Sequence, residues 1–494
     1  MAHGSADAGV FTPQSTFYEQ GRFGRMFPTL PPFSADTPTV RRALMELGEP
    51  GGIMDAGDGT DPITLITDPA LSLDNPNNPD LTAGMTFLGQ FLDHDMTFDP
   101  TSSLARRQDP ESIRNFRIPA LDLDSVYGGG PGVSPHLYDR TVDHGATSFL
   151  VETIPGSAAV SLGGVRSDVP RNSQDVAIIG DPRNDENLIV SQLHLAVLRF
   201  HNRVVADVKA DLGGILTVEE VFAEAQRIVR WHYQWMILHE FLPKTVGAAT
   251  VFDVLTKGRR HYGWRNDPYI PVEFSVAAYR FGHSQVRPSY RANFGRSATD
   301  ASKQFFALIF DHTAAGSQDP ADLRGGCRAP RRFVDWQTFF DFGDGRARPN
   351  KLIDVTLSSP LFALMGQSTG SPVSLAQRNL LRALTMKLPS GQAVAKAMTL
   401  PVLAPGDLAD LAPLHLEQRT PLWFYILREA DVMAQGRHLG PVGGRIVAEV
   451  FVGLIEGDAD SYLAQDPEWT PTYGTHGDFR MVDLLGAAGV VASF

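Results

Sequence analysis

Gly89-Gln90-Phe91-Leu92-Asp93-His94-Asp95 closes an amphipathic run that starts near Leu81, and it holds the densest chemistry in the 494-residue chain. Apolar residues recur there at three- and four-residue spacing, the period of a helix with one buried face. At about 100° per residue, Gln90, Asp93 and His94 fall on one side of that helix, and Asp95 is turned well away from Gln90 and Asp93. One turn can thus serve two sites. An imidazole flanked by an amide and a carboxylate is equipped to accept and return a proton near neutral pH, and the oppositely directed carboxylate could hold a hard cation. Spacing alone equally describes a helix cap or a surface hydrogen-bond cluster, so the reading depends on the rest of the chain.

Three segments supply what is needed. Ile118-Pro119-Ala120-Leu121-Asp122-Leu123-Asp124-Ser125-Val126-Tyr127-Gly128 sets alternate carboxylates in an extended, Gly-terminated loop. Carboxylate oxygens interleaved with backbone carbonyls suit calcium, which takes roughly six to eight oxygen ligands, although alternating Asp also occurs on plain exposed strands. Asp181-Pro182-Arg183-Asn184-Asp185-Glu186-Asn187 opens a helix, with Asp181 as N-cap and Pro182 at the first helical position. Arg183 and Glu186, three apart, project to one face, where the plain alternative is an intrahelical ion pair. Tyr279-Arg280-Phe281-Gly282-His283-Ser284 ends a helix-like stretch with a lone His beside a small residue. A neutral imidazole there could ligate an iron, and Gly282 would let a flat macrocycle approach closely. A lone His among aromatics is more often a satisfied core residue.

Helical patterns dominate the remainder: Asp185 to Ala210, Val218 to Leu242, Ser374 to Lys387, Pro421 to Gln435 and Val442 to Leu454. Thr217 and Glu220 form a capping-box signature ahead of the helix through Trp231 and Trp235. Residues 1–35, rich in Phe, Pro and Gly, read as an arm laid over a core, and residues 48–82 as loop. No repeat, low-complexity tract or Ser/Gly-rich linker divides residues 36–494, so one mainly α domain with long loops and little β structure is expected. Hydrophobic residues at 43% and charged residues at 20% suit a globular chain. A net charge of -13 without a basic block argues against a nucleic-acid partner. Cys327 is the only cysteine, which excludes intramolecular disulfides and thiolate clusters. Neither a Sec-type leader nor an apolar stretch of about 20 residues is present. A cytoplasmic location, or export without a Sec signal, follows as the expectation.

In this order and at these separations, the four segments resemble the animal-type haem peroxidases of the peroxidase–cyclooxygenase superfamily. The resemblance runs from about residue 17 to the C-terminus. It includes Leu193-His194 and Leu198-Arg199-Phe200-His201-Asn202-Arg203, and the stretches Leu388–Gln392 and Gly440–Val447 look like the bacterial branch. It implies haem b and calcium. His94 matches the distal His that takes a proton from hydrogen peroxide, Arg183 the distal Arg that stabilises charge as the O–O bond breaks, and Gln90 a distal amide that holds water or halide. His283 matches the proximal iron ligand, and Asn379 the Asn that accepts that imidazole's hydrogen bond. Arg280 and Arg382 match residues that pair with the propionates. Asp93 and Glu186 match carboxylates that become ester-bonded to haem in many relatives. Where some members carry a sulfonium-forming Met, this chain has Asn187, so that link is not expected. For calcium, Asp95 and Asp122 match ligands directly, with Ile118 and Ala120 offering backbone carbonyls. Asp124 stands where many relatives have Ser, and Ile118 where they have Thr.

The implied activity is reduction of hydrogen peroxide through a ferryl intermediate, with oxidation of halide, pseudohalide or small organic donors. Three other functions compete. A cyclooxygenase-like fatty-acid dioxygenase needs a radical Tyr three residues before the proximal His, and that position is Arg280, with Tyr279 on a different face. A non-catalytic haem- and calcium-binding adhesion module would not need both His94 and Arg183. A zinc hydrolase would need a His-Glu-x-x-His helix, which the 14 His residues do not form. His194, His201, His232 and His239 read as structural or exposed, and Cys327 as an ordinary loop thiol.

Overall fold

The computed structural model describes residues 21–59, 61–67, 75–99, 113–141, 147–212, 214–264, 267–313, 317–365 and 371–492. The architecture is mainly helical, and the strands among the described residues are short pieces of two to six residues. Helices at Gly84–Met96 (the His94 helix), Leu188–Leu212, Val218–Met236, Leu375–Thr385, Leu422–Ala434 and Pro441–Gly457 answer the six periodic segments. The Thr217 capping box forms as expected: Glu220 N–H donates to Thr217 Oγ1 at 3.3 Å and Thr217 N–H to Glu220 Oε2 at 2.7 Å. This helix runs on through a π-helical turn at Ile237–Phe241 into Leu242–Val246.

Leu422–Ala434 and Pro441–Gly457 form the apolar backing of the molecule. Leu422 to Leu427 are all fully buried, as is Val447 to Ile455 nearly throughout, which is the signature of helices covered on every side. They approach closely because Gly443 has no side chain: a Cβ there would lie 2.6 Å from Ile426 Cγ2. Truncating a side chain of this layer, such as Leu427→Ala, costs about 2–5 kcal/mol.

The loop expected over residues 48–82 fails in two places, the first being a short helix at Pro62–Thr67. Asn77–Thr82, read as loop, is a strand paired antiparallel with Pro349–Lys351, so the His94 helix begins at Gly84 rather than Leu81. Local propensity disfavours a strand at Asn77-Asn78-Pro79-Asp80, and pairing with a distant partner overrides it. Residues 1–20 of the expected arm lie outside the described residues. In the part that follows, Gly21–Gly24 pairs antiparallel with Arg114–Asn115 and parallel with Ile270–Pro271. Phe23, Met26, Phe27 and Phe33 are buried in the core, and buried Glu273 accepts the N–H groups of Met26 and Phe27 at 2.9 and 3.1 Å.

Candidate functional site

The last turn of the His94 helix faces the segment Asp181–Asn187. Asp181 caps a 3-10 turn, Pro182–Asp185, by accepting from Arg183 N–H, and the α-helix itself starts only at Leu188. Its cap is Asn187, whose Oδ1 accepts from Ile189 and Val190 N–H at 3.1 and 3.0 Å. The turn points Arg183 and Glu186 at different partners. Arg183 grips Asp181 with Nε and Nη2 at 3.1 and 2.7 Å, donates from Nη2 to the His94 carbonyl at 2.9 Å, and lies over the Phe98 ring at 4.6 Å. Glu186 Oε2 accepts from Gln90 Nε2 at 3.3 Å, and Asn187 Nδ2 donates to Gln90 Oε1 at 3.2 Å. Asn187, where Met was the point of comparison, therefore both caps the helix and orients the Gln90 amide.

His94 is fully buried, with Nδ1 2.8 Å from Asn184 Oδ1 and Nε2 without a hydrogen-bond partner. Burial, with the Arg183 charge adding to it, holds its pKa well below the usual histidine value, so the ring is a neutral base. Burial alone would raise Asp181, but Arg183 and Arg117 outweigh it and keep that carboxyl far below the usual range. Arg183 is thereby fixed by a partner that stays charged.

The opposite wall is built by residues 278–285 and the helix Leu375–Thr385. Tyr279 and Arg280 sit on a 3-10 turn, and His283 follows on the short helix Gly282–Gln285, which packs against the His94 helix. A side chain at Gly282 would meet nothing within 4 Å. His283 is buried, with Trp423 edge-on at 6.3 Å between ring centroids. Trp423 Nε1 donates to the Arg280 carbonyl at 3.1 Å.

One expected bond has the reverse polarity. Asn379 presents Nδ2, not Oδ1, to His283 Nδ1 at 2.7 Å. The reason is Arg280, whose Nη1 donates to Asn379 Oδ1 and so occupies the acceptor that the imidazole N–H would need. Arg280 is pushed down to about 9 by burial and by the Arg382 and Arg378 charges, and Arg382 is lowered by burial with Asp99 opposing at 3.9 Å. This corner carries more guanidinium than carboxylate.

The walls meet along a cavity lined by Asp93 and Arg183 on one side and Arg280 and Arg382 on the other, with Phe23 and Met386 among its apolar lining. Asp93 is tied into the helix end by Thr97, whose Oγ1 donates to the Asp93 carbonyl and to Oδ1 at 3.0 and 3.3 Å. Gln90, Glu186, His94 and His283 are not part of this lining. Tyr279 does not face the cavity: its OH donates to the Gly89 carbonyl at 3.0 Å and its ring stacks on Phe274.

Asp95 points away from His94, as its position on the helix requires, and joins Asp122 and Asp124 in a cluster whose oxygens lie within 4.8 Å of one another. Leu123, buried and left-handed at φ 65°, makes the turn that sets the two loop carboxylates there. Asp95 accepts from Leu123 and Ser125 N–H, Ser125 Oγ and Tyr233 OH. Ile118 contributes its N–H, to Asp124 Oδ2 at 3.2 Å, and Ala120 lies beside it in the same loop. Asp124 Oδ1 has no hydrogen-bond partner, with Arg117 Nε 3.7 Å away. Burial first, and for Asp95 and Asp124 repulsion from the other carboxylates, raises all three pKa values. Three crowded carboxylates and an oxygen with no donor are the chemistry of a hard-cation site.

His201 and His232 are structural as expected: His201 bonds Tyr127 OH and the Thr147 carbonyl, and His232 bonds the Ile228 carbonyl and the N–H groups of Thr472 and Tyr473. His239 is exposed and stacked on Trp235. His194 departs from the set, because its Nδ1 lies 3.0 Å from Asn184 Nδ2, within the His94 site. Sequence reading also passed over Asn184 and Arg117. Asn184 lay in the quoted segment, but nothing in its spacing shows that it faces His94. Cys327 is a half-buried loop thiol that donates weakly to the Gly325 carbonyl at 3.7 Å.

Residues 115–321 match the family described as Animal haem peroxidase, a span that contains Asp122, Asp124, Arg183, Glu186, Arg280 and His283. Thyroid peroxidase of Sus scrofa is 28% identical over 201 residues, 38% of this chain and 20% of that protein. The chain thus spans about a fifth of the length of the thyroid peroxidases it matches. Peroxidase A of Dictyostelium discoideum shares the fold at a TM-score of 0.61 and 16% identity, over 94% of this chain and 95% of that one. The fatty acid alpha-dioxygenase of Oryza sativa does so at 0.55 and 14%, over 90% and 82%. Among the described residues no helix is long and apolar enough to cross a membrane. The central segment of the chain therefore matches the animal haem peroxidase family, and the chain as a whole shares the helical fold of these neighbours.

Proposed function

We propose that this chain is a haem- and calcium-dependent peroxidase that reduces hydrogen peroxide and oxidises a halide, pseudohalide or small organic donor. The observation that carries the reading is the buried His94 Nε2, a base without a hydrogen-bond partner on the wall that also presents Arg183 to the cavity.

The residues fit a haem. Half-buried, crowded Arg280 and Arg382 suit two propionates, Gly282 leaves room beside His283, and Asp93 and Glu186 are the carboxylates this reading assigns to ester bonds. For His283 to offer Nε2 to iron, its proton must sit on Nδ1, which requires the Asn379 oxygen to face it. If Arg280 paired with a propionate, the Asn379 oxygen would be free, and the amide could rotate to present it to His283 Nδ1. When bound, haem supplies the redox chemistry that passes two electrons from donor to peroxide.

The chain's own groups manage protons and charge. His94 Nε2 takes the proton from the attacking peroxide oxygen and delivers it to the departing one, which leaves as water. The Arg183 guanidinium stabilises negative charge on that departing oxygen. Gln90, aligned by Asn187 and Glu186, offers an amide to a small polar ligand beside His94. Asp95, Asp122 and Asp124, with the carbonyls of Ile118 and Ala120, hold calcium. The Arg280 side chain stands where a radical Tyr would have to be, and Tyr279 is engaged with Gly89, so dioxygenation of fatty acids is not favoured.

Acid-butanone extraction of the purified protein, followed by an absorption spectrum, reports the cofactor and any covalent link. Peroxide-dependent oxidation of iodide or a phenol, measured beside oxygen uptake with a polyunsaturated fatty acid and trace peroxide, separates the reactions. Oxygen uptake without peroxide-dependent donor oxidation would refute the peroxidase reading.

A further inference from the structure

Asn184 and His194 are buried completely, and between them they account for both hydrogen-bonding ends of one amide: Oδ1 faces His94 Nδ1 at 2.8 Å and Nδ2 faces His194 Nδ1 at 3.0 Å. Asn184 lies on the 3-10 turn immediately after Arg183, and His194 on the second turn of the helix Leu188–Leu212. A neutral imidazole has one N–H and one lone pair, and which nitrogen bears the proton is set by the partner it meets. An amide oxygen accepts and an amide nitrogen donates, so each ring is forced into one form. His94 carries its proton on Nδ1 and keeps the lone pair on Nε2, while His194 accepts at Nδ1.

We infer that Asn184 and His194 are positioning residues that hold His94 in the tautomer whose Nε2 is free to take a proton. The inference rests on the peroxidase reading of His94 and deepens it. With His194 accepting at Nδ1, inverting the amide would also require His194 to move its own proton from Nε2 to Nδ1, and removing His194 lifts that constraint. Inverted, the amide would donate to His94 Nδ1, place the ring proton on Nε2 and abolish the base. The choice of an amide matters too. Asn184 accepts from Nδ1 without carrying a charge, so it orients the ring without stabilising the imidazolium as strongly as a carboxylate would.

The test reads the tautomer directly. The full-length chain labelled with 15N-histidine, with and without haem supplied during expression, is examined by two-bond proton–nitrogen correlation, with His94 assigned against His94→Gln. Expected is His94 protonated at Nδ1 in the parent, and a mixture of tautomers in Asn184→Ala and His194→Leu. His194→Gln, whose side-chain oxygen can still accept from Asn184 Nδ2, should restore the parent pattern. In the haem-loaded proteins the binding rate of hydrogen cyanide, which must surrender a proton to the distal base, should fall about tenfold to a hundredfold in Asn184→Ala and His194→Leu and recover in His194→Gln. A parent His94 protonated at Nε2, or an unchanged tautomer in the variants, overturns the inference. Should Asn184→Ala not fold, the His194→Leu and His194→Gln pair decides, and identical behaviour of the two counts against it. Failure of the parent to take up haem would sink the peroxidase reading alone, because the nitrogen spectra are read without it.

Discussion

The two walls of the cavity are assembled on opposite principles. On the His94 side every polar group is fixed by a partner inside the protein: Arg183 by Asp181, Gln90 by Asn187 and Glu186, His94 by Asn184. On the His283 side the cations Arg280, Arg382 and Arg378 crowd one another, and one amide, Asn379, is shared between Arg280 and His283. On the proposed reading the first wall is preorganised for moving protons, and the second, with more guanidinium than carboxylate, for receiving an anionic ligand. Preorganisation belongs where a reaction occurs, and an excess of positive charge where an anion is held.

This contrast makes ordered predictions. His283→Ala should abolish haem retention, read as loss of the Soret band after gel filtration, whereas His94→Ala should keep its haem and react with peroxide about 10²–10⁴-fold more slowly in stopped flow. Equal loss of haem in both would erase the distinction between walls. Arg183→Ala should also keep haem and slow the peroxide reaction about 10²–10³-fold, as losing one aligned charge stabiliser does. Asn379→Ala, a change behind the cofactor, should weaken haem binding about 10–100-fold when haem is titrated into the apoprotein.

The smallest effect tests the backing layer. Glu429, buried on Leu422–Ala434, accepts from Val442 and Gly443 N–H at 2.9 and 3.2 Å, and burial raises it from 4.5 to about 7. The folded chain binds this proton more tightly than the unfolded one, so stability falls as pH rises from 4.5 to about 7. Across that window the parent should lose up to about 3 kcal/mol that Glu429→Gln keeps, measured by urea unfolding at pH 5 and pH 8. Parallel pH profiles would show that Glu429 is already charged in the fold.

Local chemistry explains how far the sequence could be read. Helix period placed Asp95 opposite Gln90 and Asp93, and the geometry bears this out, because side-chain direction on a helix follows from position alone. The strand Asn77–Thr82 escaped, since its residues favour turns and only pairing with Pro349–Lys351 makes it a strand. His194 escaped for a similar reason: ten residues beyond Asn184, it reaches that amide only through the 3-10 turn and the helix start at Leu188. The Asn379 polarity depended on a third residue, Arg280, competing for the same oxygen, and motif matching ranks pairs rather than competitions.

His94 and Asp95 are neighbours across a single peptide bond, and Arg183 holds the carbonyl of that bond through Nη2 at 2.9 Å. A displacement of the acidic cluster would therefore be delivered to the imidazole and the guanidinium together, as one rigid link. On the proposed reading, losing a cation from the acidic cluster would disturb the imidazole and the guanidinium together.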